Sequence, residues 1–200
     1  MGARGIDDRD AVGLLCLVGA MIAFPIGFLS FSAWQCATSG STEYTVTITS
    51  VDGLDPALDL RSDRPALSPV FDITVHINNT LYKVHKQCIG EDSSAAVSYA
   101  DALLGKGTVP AFCAQALGVG EAAATAWAMN VQVPRLLRNR LAGELERDEA
   151  VVDVAVRTPG AGQCHRYGCK DKVLVCKAKI GGGSSPCFLR EILSDTSANR

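Results

Sequence analysis

The longest apolar stretch of the chain lies near its start, where residues Ala11 to Trp34 include no Asp, Glu, Lys, Arg or His. A helix of this length extends about 36 Å, which is enough to cross a hydrocarbon core of roughly 30 Å. Pro25 is compatible with a membrane-spanning helix, and Trp34 at the far edge suits the aromatic belt of the interface. The pattern therefore predicts a transmembrane helix over residues 11–34.

A cleaved signal peptide is the alternative interpretation of the same stretch. Signal peptides have an apolar region of about 7–15 residues behind a basic start. The stretch here is longer, and the residues before it carry more Asp than Arg. A membrane anchor is therefore favoured, although Ala37-Thr38-Ser39 forms a weak cleavage signal.

Orientation follows from the basic residues on the two sides of the predicted helix. Arg4 and Arg9 precede it, and the next basic residue is Arg61, so the positive-inside rule places the N-terminus in the cytosol. The expected location is the plasma membrane or an endomembrane, with the C-terminal domain extracellular or lumenal. The predicted organisation is a cytosolic tail at 1–10, the transmembrane helix at 11–34, a polar stalk at 35–43, an extracytoplasmic domain at 44–193 and a disordered tail at 194–200.

Beyond the apolar stretch, apolar and polar residues alternate with period two in several segments. These segments are rich in β-branched residues and are separated by turn residues, which is typical of strands with one face on a core. No helix separates most of them, so we expect a mainly β fold, an antiparallel sandwich of the immunoglobulin or fibronectin type. The alternating segments are residues 44–49, 70–77, 151–157 and 173–180.

One helix is predicted to interrupt these strands. It begins at Pro134, and Leu137, Leu141 and Leu145 fall on one face while the opposite face is charged. The segment Glu121 to Met129 is ambiguous, because its alanine content favours a helix and its place before the predicted helix suits a strand. We expect a strand there.

Cysteines and a glycosylation sequon both indicate an exported domain. Six of the eight cysteines lie well beyond the predicted helix, and an even set in an exported segment predicts disulfides. Nearness in sequence favours three pairs among the fifteen pairings. These are Cys88–Cys113, Cys164–Cys169 and Cys176–Cys187. The sequon Asn78-Asn79-Thr80 predicts a glycan on Asn78. Cys36 remains, either to link two chains into a homo-oligomer or to pair internally if another cysteine is free.

The chain has little that indicates catalysis or cofactor binding. There are three histidines, no G-x-S-x-G nucleophile elbow and no phosphate-binding loop, so we expect no enzyme activity and no cofactor. Residues 164–169 (CHRYGC) contain metal-ligand residue types, but no spacing supports a fourth zinc ligand, and oxidation to a disulfide is favoured in an oxidising compartment. The near-balanced charge excludes the concentrated basic face of a nucleic-acid binder.

The order of these segments resembles the plant late embryogenesis abundant proteins of group 2. The membrane-anchored members are the harpin-induced-like or non-race-specific disease resistance-like proteins, and the extra cysteines suggest a divergent grass-type branch. The resemblance implies a β-sandwich outside a single membrane span, a role in stress or pathogen responses, and no catalytic residues. It is carried by Tyr44–Asp52 (YTVTITSVD), Ser68–Asn78 (SPVFDITVHIN), Val97–Phe112, Val133–Leu145, Val151–Val156 and Val175–Cys187 (VCKAKIGGGSSPC).

Three functions are compatible with these observations. The first is a non-enzymatic, membrane-tethered module that acts through contacts with unidentified protein partners in stress or defence, with the lipid bilayer as its other partner. The second is a module that binds an apolar ligand or lipid between its sheets. The third is a secreted hydrolase of an unrecognised type, for which the sequence offers no placed nucleophile and base.

Overall fold

The computed structural model describes residues 21, 24–32, 41–61, 66–81, 85–160 and 170–193. The chain divides into two compact units, Met1–Gly40 and Ser41–Arg200. In the first unit residues 24–32 are helical, and the Ser32 hydroxyl donates a hydrogen bond to the Phe28 carbonyl. A search of the described residues found no helix with the length and apolar character that a membrane span needs. Most of the predicted transmembrane helix and both predicted tails lie outside the described residues.

The second unit is built mainly from β-strands, as the alternating segments predicted. It also contains one α-helix, α1 (Arg135–Glu146), and a short π-helical turn, Pro56–Leu60. The strands are β1 (Glu43–Asp52), β2 (Val70–Asn78), β3 (Gln87–Ile89), β4 (Ser93–Tyr99), β5 (Ala102–Val109), β6 (Phe112–Ala114), β7 (Val119–Trp127), β8 (Val151–Thr158), β9 (Lys170–Lys179) and β10 (Ser185–Leu193).

Eight of these strands form one closed, antiparallel barrel in the order β1-β10-β9-β8-β4-β5-β7-β2. The remaining two, β3 and β6, pair separately, with Cys88 opposite Cys113. The barrel closes at two short seams. At one, β1 meets β10 through Thr45–Pro186 and Val46–Ser185. At the other, β5 meets β7 through the single aligned pair Lys106–Trp127.

The ring of strands differs from the two separate sheets that the sequence predicted, and two glycines help to explain why. A Cβ on Gly107 would overlap the Thr125 carbonyl oxygen, and one on Gly105 would press on the Ala126 backbone. Their missing side chains let β5 approach β7 closely enough to hydrogen-bond. A mainly β, antiparallel fold is thus confirmed, while the edges that a sandwich would leave open are joined.

Antiparallel order gives the barrel two distinct ends. At the first, which we call the Ser41 end, the chain arrives at Ser41, β1 and β7 begin, and β2 and β10 end. At the second, the helix end, lie the π-helical turn that joins β1 to β2 and the helix α1 that joins β7 to β8. Every feature described below belongs to one of these ends.

Apolar side chains fill the barrel interior, and α1 covers its helix end. Leu141 and Ala142 of α1 are fully buried, and Leu137 and Leu145 pack against the core, which confirms the predicted apolar face. The strand predicted from Glu121 is confirmed as part of β7. The largest buried side chains are Phe71, Leu60, Ile73, Ile77, Leu104, Leu141, Val46, Val75, Val97, Val152, Val154 and Val156.

Candidate functional site

Two of the three predicted disulfides lie in the described residues. Cys88 is bonded to Cys113 across β3 and β6, and Cys176 is bonded to Cys187 across β9 and β10. Both join residues that face each other on neighbouring antiparallel strands, which accounts for their formation. Cys164 and Cys169 lie outside the described residues.

The predicted glycosylation site lies at the Ser41 end, on the outer face of β2. Asn78 is half-buried, and it is aligned with Glu43 on β1 and with Val119 on β7. Its amide oxygen accepts hydrogen bonds from the Thr80 hydroxyl at 2.7 Å and the Thr80 backbone N–H at 3.2 Å. Its amide nitrogen lies 3.4 Å from a Glu43 carboxylate oxygen.

His76, one of the two histidines in the described residues, is paired with a carboxylate. His76 on β2 lies 3.2 Å from Glu121 on β7, and the Glu121 side chain is mostly exposed. His165 falls outside the described residues. Over the stretches that the structure describes, no group of three or more His, Cys, Asp or Glu side chains is placed to hold a metal ion.

A buried asparagine organises the Ser41 end. The Asn79 side chain has no exposed surface, and its amide nitrogen donates hydrogen bonds of 3.0 Å to the carbonyls of His85 and Gln115. Its amide oxygen accepts a hydrogen bond of 2.8 Å from the Thr42 hydroxyl. Since buried polar groups are costly unless paired, these bonds hold Thr42, His85 and Gln115 against Asn79.

The turn beside Asn79 presents an apolar side chain to solvent. The Asn79 backbone N–H donates to the Gly118 carbonyl at 2.9 Å, and Gly118 closes a turn onto Gln115 at 3.0 Å. Leu117 in this turn has a positive φ of 61°, and its side chain is 57 % exposed. A left-handed conformation costs a leucine about 1–2 kcal/mol, and an exposed leucine gains little from burial in return. Such a residue points to a role outside folding.

An ion pair holds the neighbouring part of the Ser41 end. Asp171, at the start of β9, is nearly buried and accepts hydrogen bonds of 2.6 and 2.9 Å from the Arg157 guanidinium. The Gly160 backbone N–H donates to its other oxygen at 3.1 Å. These partners, Arg157 first, hold the pKa of the Asp171 carboxyl below its usual range. The β8–β9 connection is therefore held at its base.

The helix end contains a cleft of about 420 Å³ between α1 and the barrel wall. Tyr99 lines it and is 4 % exposed; its hydroxyl lies near the Glu144 carboxylate but makes no hydrogen bond of good geometry among the described residues. Burial, and then the Glu144 carboxylate, raise the pKa of Tyr99, so its hydroxyl stays protonated. The other lining residues are Ala100, Arg140, Glu144, Arg147, Glu149, Val151, Asp153 and Lys177.

Charged pairs surround the apolar side chains of the helix end. Arg61 contacts Glu146 at 2.7 Å, and in α1 Arg140 contacts Glu144 at 2.8 Å. Exposed apolar side chains with a polar rim are typical of protein-binding surfaces. The large exposed apolar side chains at this end are Leu58, Leu103, Trp127, Met129, Leu136 and Val151.

No family model, no curated protein and no solved structure matches this chain.

Two features of these sites were missed in the sequence. Asn79 is the middle residue of the sequon, and it also occupies the next inward position after Ile73, Val75 and Ile77, a signal in the sequence that could have indicated its burial. Tyr99 lies in β4, a strand of small residues (SSAAVSY) that carries a weak strand signal. The isolated tyrosine beside a turn at Ala100 and Asp101 was the only local indication.

Proposed function

We propose that this chain is a non-enzymatic, single-pass membrane protein whose extracytoplasmic β-domain acts through protein contacts in a plant stress or defence response. The observation that carries the proposal is the pair of disulfides in a domain that begins at Ser41, directly after the apolar stretch and stalk. Disulfides of this kind persist in oxidising compartments. An apolar anchor would place the domain in such a compartment.

The sheet arrangement of the barrel is also compatible with a β-sandwich origin. The seams at Thr45–Pro186 and Lys106–Trp127 are short, whereas the remaining pairings extend along most of each strand. We infer that the barrel consists of two sandwich-like sheets, β1-β2-β7 and β10-β9-β8-β4-β5, that meet at their edges. This arrangement is what the resemblance to the group 2 late embryogenesis abundant proteins would imply.

Protein contact is favoured over storage of an apolar ligand between the sheets. Phe71, Val75 and Val154 are fully buried in the interior, which they share with the other core residues. Interiors packed in this way leave little room for a guest molecule. The helix end, by contrast, offers exposed leucine, methionine and tryptophan beside ion pairs.

Membrane topology is the first test. Microsomes from plant cells that make the full chain with an epitope after Arg200 are treated with protease, with and without detergent. We expect the epitope to be protected until detergent is added, and the chain to stay in the membrane pellet in alkaline carbonate. Digestion without detergent, or release by carbonate, would contradict the proposal.

The protein-contact part has its own test. Cross-linking in intact membranes is compared for the wild type, for Leu136→Asp at the helix end and for Leu117→Asp at the Ser41 end. Both leucines are exposed, so both variants should fold. We expect Leu136→Asp to lose cross-linked partners that Leu117→Asp keeps, and equal patterns in all three proteins would refute a helix-end interface.

A further inference from the structure

The Ser41 end carries exposed apolar side chains on adjacent strands and connections, which we call the apolar rim. Asn78 is aligned with Val119 on β7 and with Glu43 on β1, and β1 in turn meets β10 through Thr45–Pro186. The rim therefore spans the neighbouring strands β7, β2, β1 and β10, and Phe188 and Ile192 lie on β10 beyond the residues that pair with β1. Its members are Leu81, Leu117, Val119, Phe188 and Ile192, each between 42 % and 73 % exposed.

The rim is held rigidly by hydrogen bonds that do not themselves need apolar neighbours. Buried Asn79 ties together the two connections that carry Leu81 and Leu117. Leu117 keeps a positive φ although glycine would fit the turn without strain. Rigid presentation lowers the ordering cost of binding, because the side chains are already arranged before contact. The geometry is that of an apolar surface arranged in advance for binding.

The length of the segment between Trp34 and Ser41 indicates what can cover the apolar rim. Residues 35–40 separate Trp34, the last residue of the apolar stretch, from Ser41. Fully extended, the steps from Trp34 to Ser41 span at most about 25 Å. The helix end lies farther along by the length of a strand, roughly 25–30 Å for the barrel strands. If the stretch is embedded in a bilayer, the Ser41 end always stays within reach of the lipid surface.

We propose that the apolar rim docks on the bilayer interface and holds the barrel upright with its helix end turned away from the membrane. Large exposed apolar side chains in this position can enter the boundary between headgroups and acyl chains, as interfacial segments do. The short tether raises the effective concentration of lipid surface at the rim, so a few side chains suffice. The docking rests on the membrane anchor of the proposed function and adds an orientation to it.

The proposed docking is incompatible with the glycan that the sequon predicts on Asn78. Asn78 lies in the rim between Glu43 and Val119, so a hydrophilic glycan there would keep lipid away from the neighbouring side chains. Docking requires an unmodified Asn78. Peptide mapping of the protein from plant membranes with and without glycosidase decides this, and a glycan at Asn78 would overturn the docking while leaving the anchor in place.

Fluorescence quenching in nanodiscs tests the contact directly. The full chain is reconstituted with phosphatidylcholine brominated on its acyl chains, and single-tryptophan variants are compared. Trp127→Phe alone keeps Trp34 and reports the anchor. Trp34→Phe with Trp127→Phe provides the background for Leu81→Trp in the rim and for the matched control Leu136→Trp at the helix end. Leu81 and Leu136 are both exposed leucines, so both variants should fold, which near-UV circular dichroism verifies.

We expect the Leu81→Trp protein to lose most of its fluorescence in brominated lipid and the Leu136→Trp protein to keep its fluorescence. If the Leu81→Trp and Leu136→Trp proteins are equally fluorescent in brominated lipid while Trp34 is quenched, the docking is wrong and the membrane anchor is still supported. Unquenched Trp34 would overturn both. Protection of the rim by a second copy, seen as a cross-linked dimer without lipid quenching, would also overturn the docking.

Discussion

Both ends of the barrel expose large apolar side chains, but the buried polar groups beneath them are satisfied to different degrees. At the Ser41 end the side chain of a buried asparagine makes three hydrogen bonds beside the turns that carry exposed leucines. At the helix end the buried Tyr99 hydroxyl makes no hydrogen bond of good geometry in the stretches that the structure describes, and the exposed apolar residues lie among ion pairs. The difference indicates that exposure alone does not define a binding surface, since rigidity and surrounding charge decide what each surface can accept.

The largest difference between the ends should appear when their central polar contacts are removed. Asn79→Ala leaves the Thr42 hydroxyl and the carbonyls of His85 and Gln115 without their partner. We expect a loss of about 3 kcal/mol in the free energy of unfolding. Arg61→Ala, which removes an exposed ion pair at the helix end, should cost under about 1 kcal/mol. Urea denaturation of both variants measures the contrast, and equal losses would deny the Ser41 end its special rigidity.

Removing one hydroxyl at each end should give effects of different sign. Thr42→Val loses the 2.8 Å hydrogen bond to Asn79, so we expect about 1 kcal/mol of destabilisation. Tyr99→Phe removes a buried hydroxyl that makes no hydrogen bond of good geometry within the described part of the chain, so stability should stay unchanged or rise by up to about 1 kcal/mol. Thermal denaturation of the two variants decides. A clear loss of stability in Tyr99→Phe would mean that the hydroxyl is satisfied in solution.

The same substitution should also act oppositely on two exposed leucines. Leu117→Gly relieves the left-handed backbone, and after the greater freedom of the unfolded glycine is counted, a gain of about 0.5 kcal/mol remains. Leu136→Gly, in the first turn of α1, should lose about 1 kcal/mol because glycine disfavours helices. Chemical denaturation gives both values. If Leu117→Gly is destabilising, the leucine serves the fold and not a binding surface.

The smallest effect should be the dependence of stability on pH, where the two ends respond to acid and alkali respectively. Asp171 has a lowered pKa in the folded state, so its contribution is present above about pH 4 and is lost as pH falls further. Tyr99 has a raised pKa, so its contribution is present below about pH 10 and is lost at higher pH. We expect Asp171→Asn to flatten the acid limb of the melting-temperature profile.

Tyr99→Phe is the matched change for the alkaline limb. It should flatten that limb and leave the acid limb as it is in the wild type. A reversed assignment, in which Asp171→Asn alters only the alkaline limb, would contradict the electrostatics of both ends.

Strong alternation made four strands predictable, and their neighbours were harder to foresee. Residues 70–77 place Phe71, Ile73 and Val75 inward, and this pattern alone predicts β2. In contrast β5 (ALLGKGTV) contains two glycines and a lysine, which usually argue against a strand. Pairing with its neighbours nevertheless stabilises β5, because its two glycines have no side chains and so allow β5 to lie close to β7. The helix was predictable from Pro134 and the spacing of its leucines.

The chain alone determined the mainly β character and the helix, because local periodicity expresses both within a few residues. Nearness in sequence indicated two cysteine pairs, whose members are 25 and 11 residues apart. Only the tertiary structure decided that the strands close into a barrel, that Asn79 is bonded to Thr42, His85 and Gln115, and that Leu117 is held outward. These depend on contacts between residues far apart in the chain, such as Gly107 with Thr125 and Thr42 with Asn79. Such contacts leave no periodic trace in the sequence.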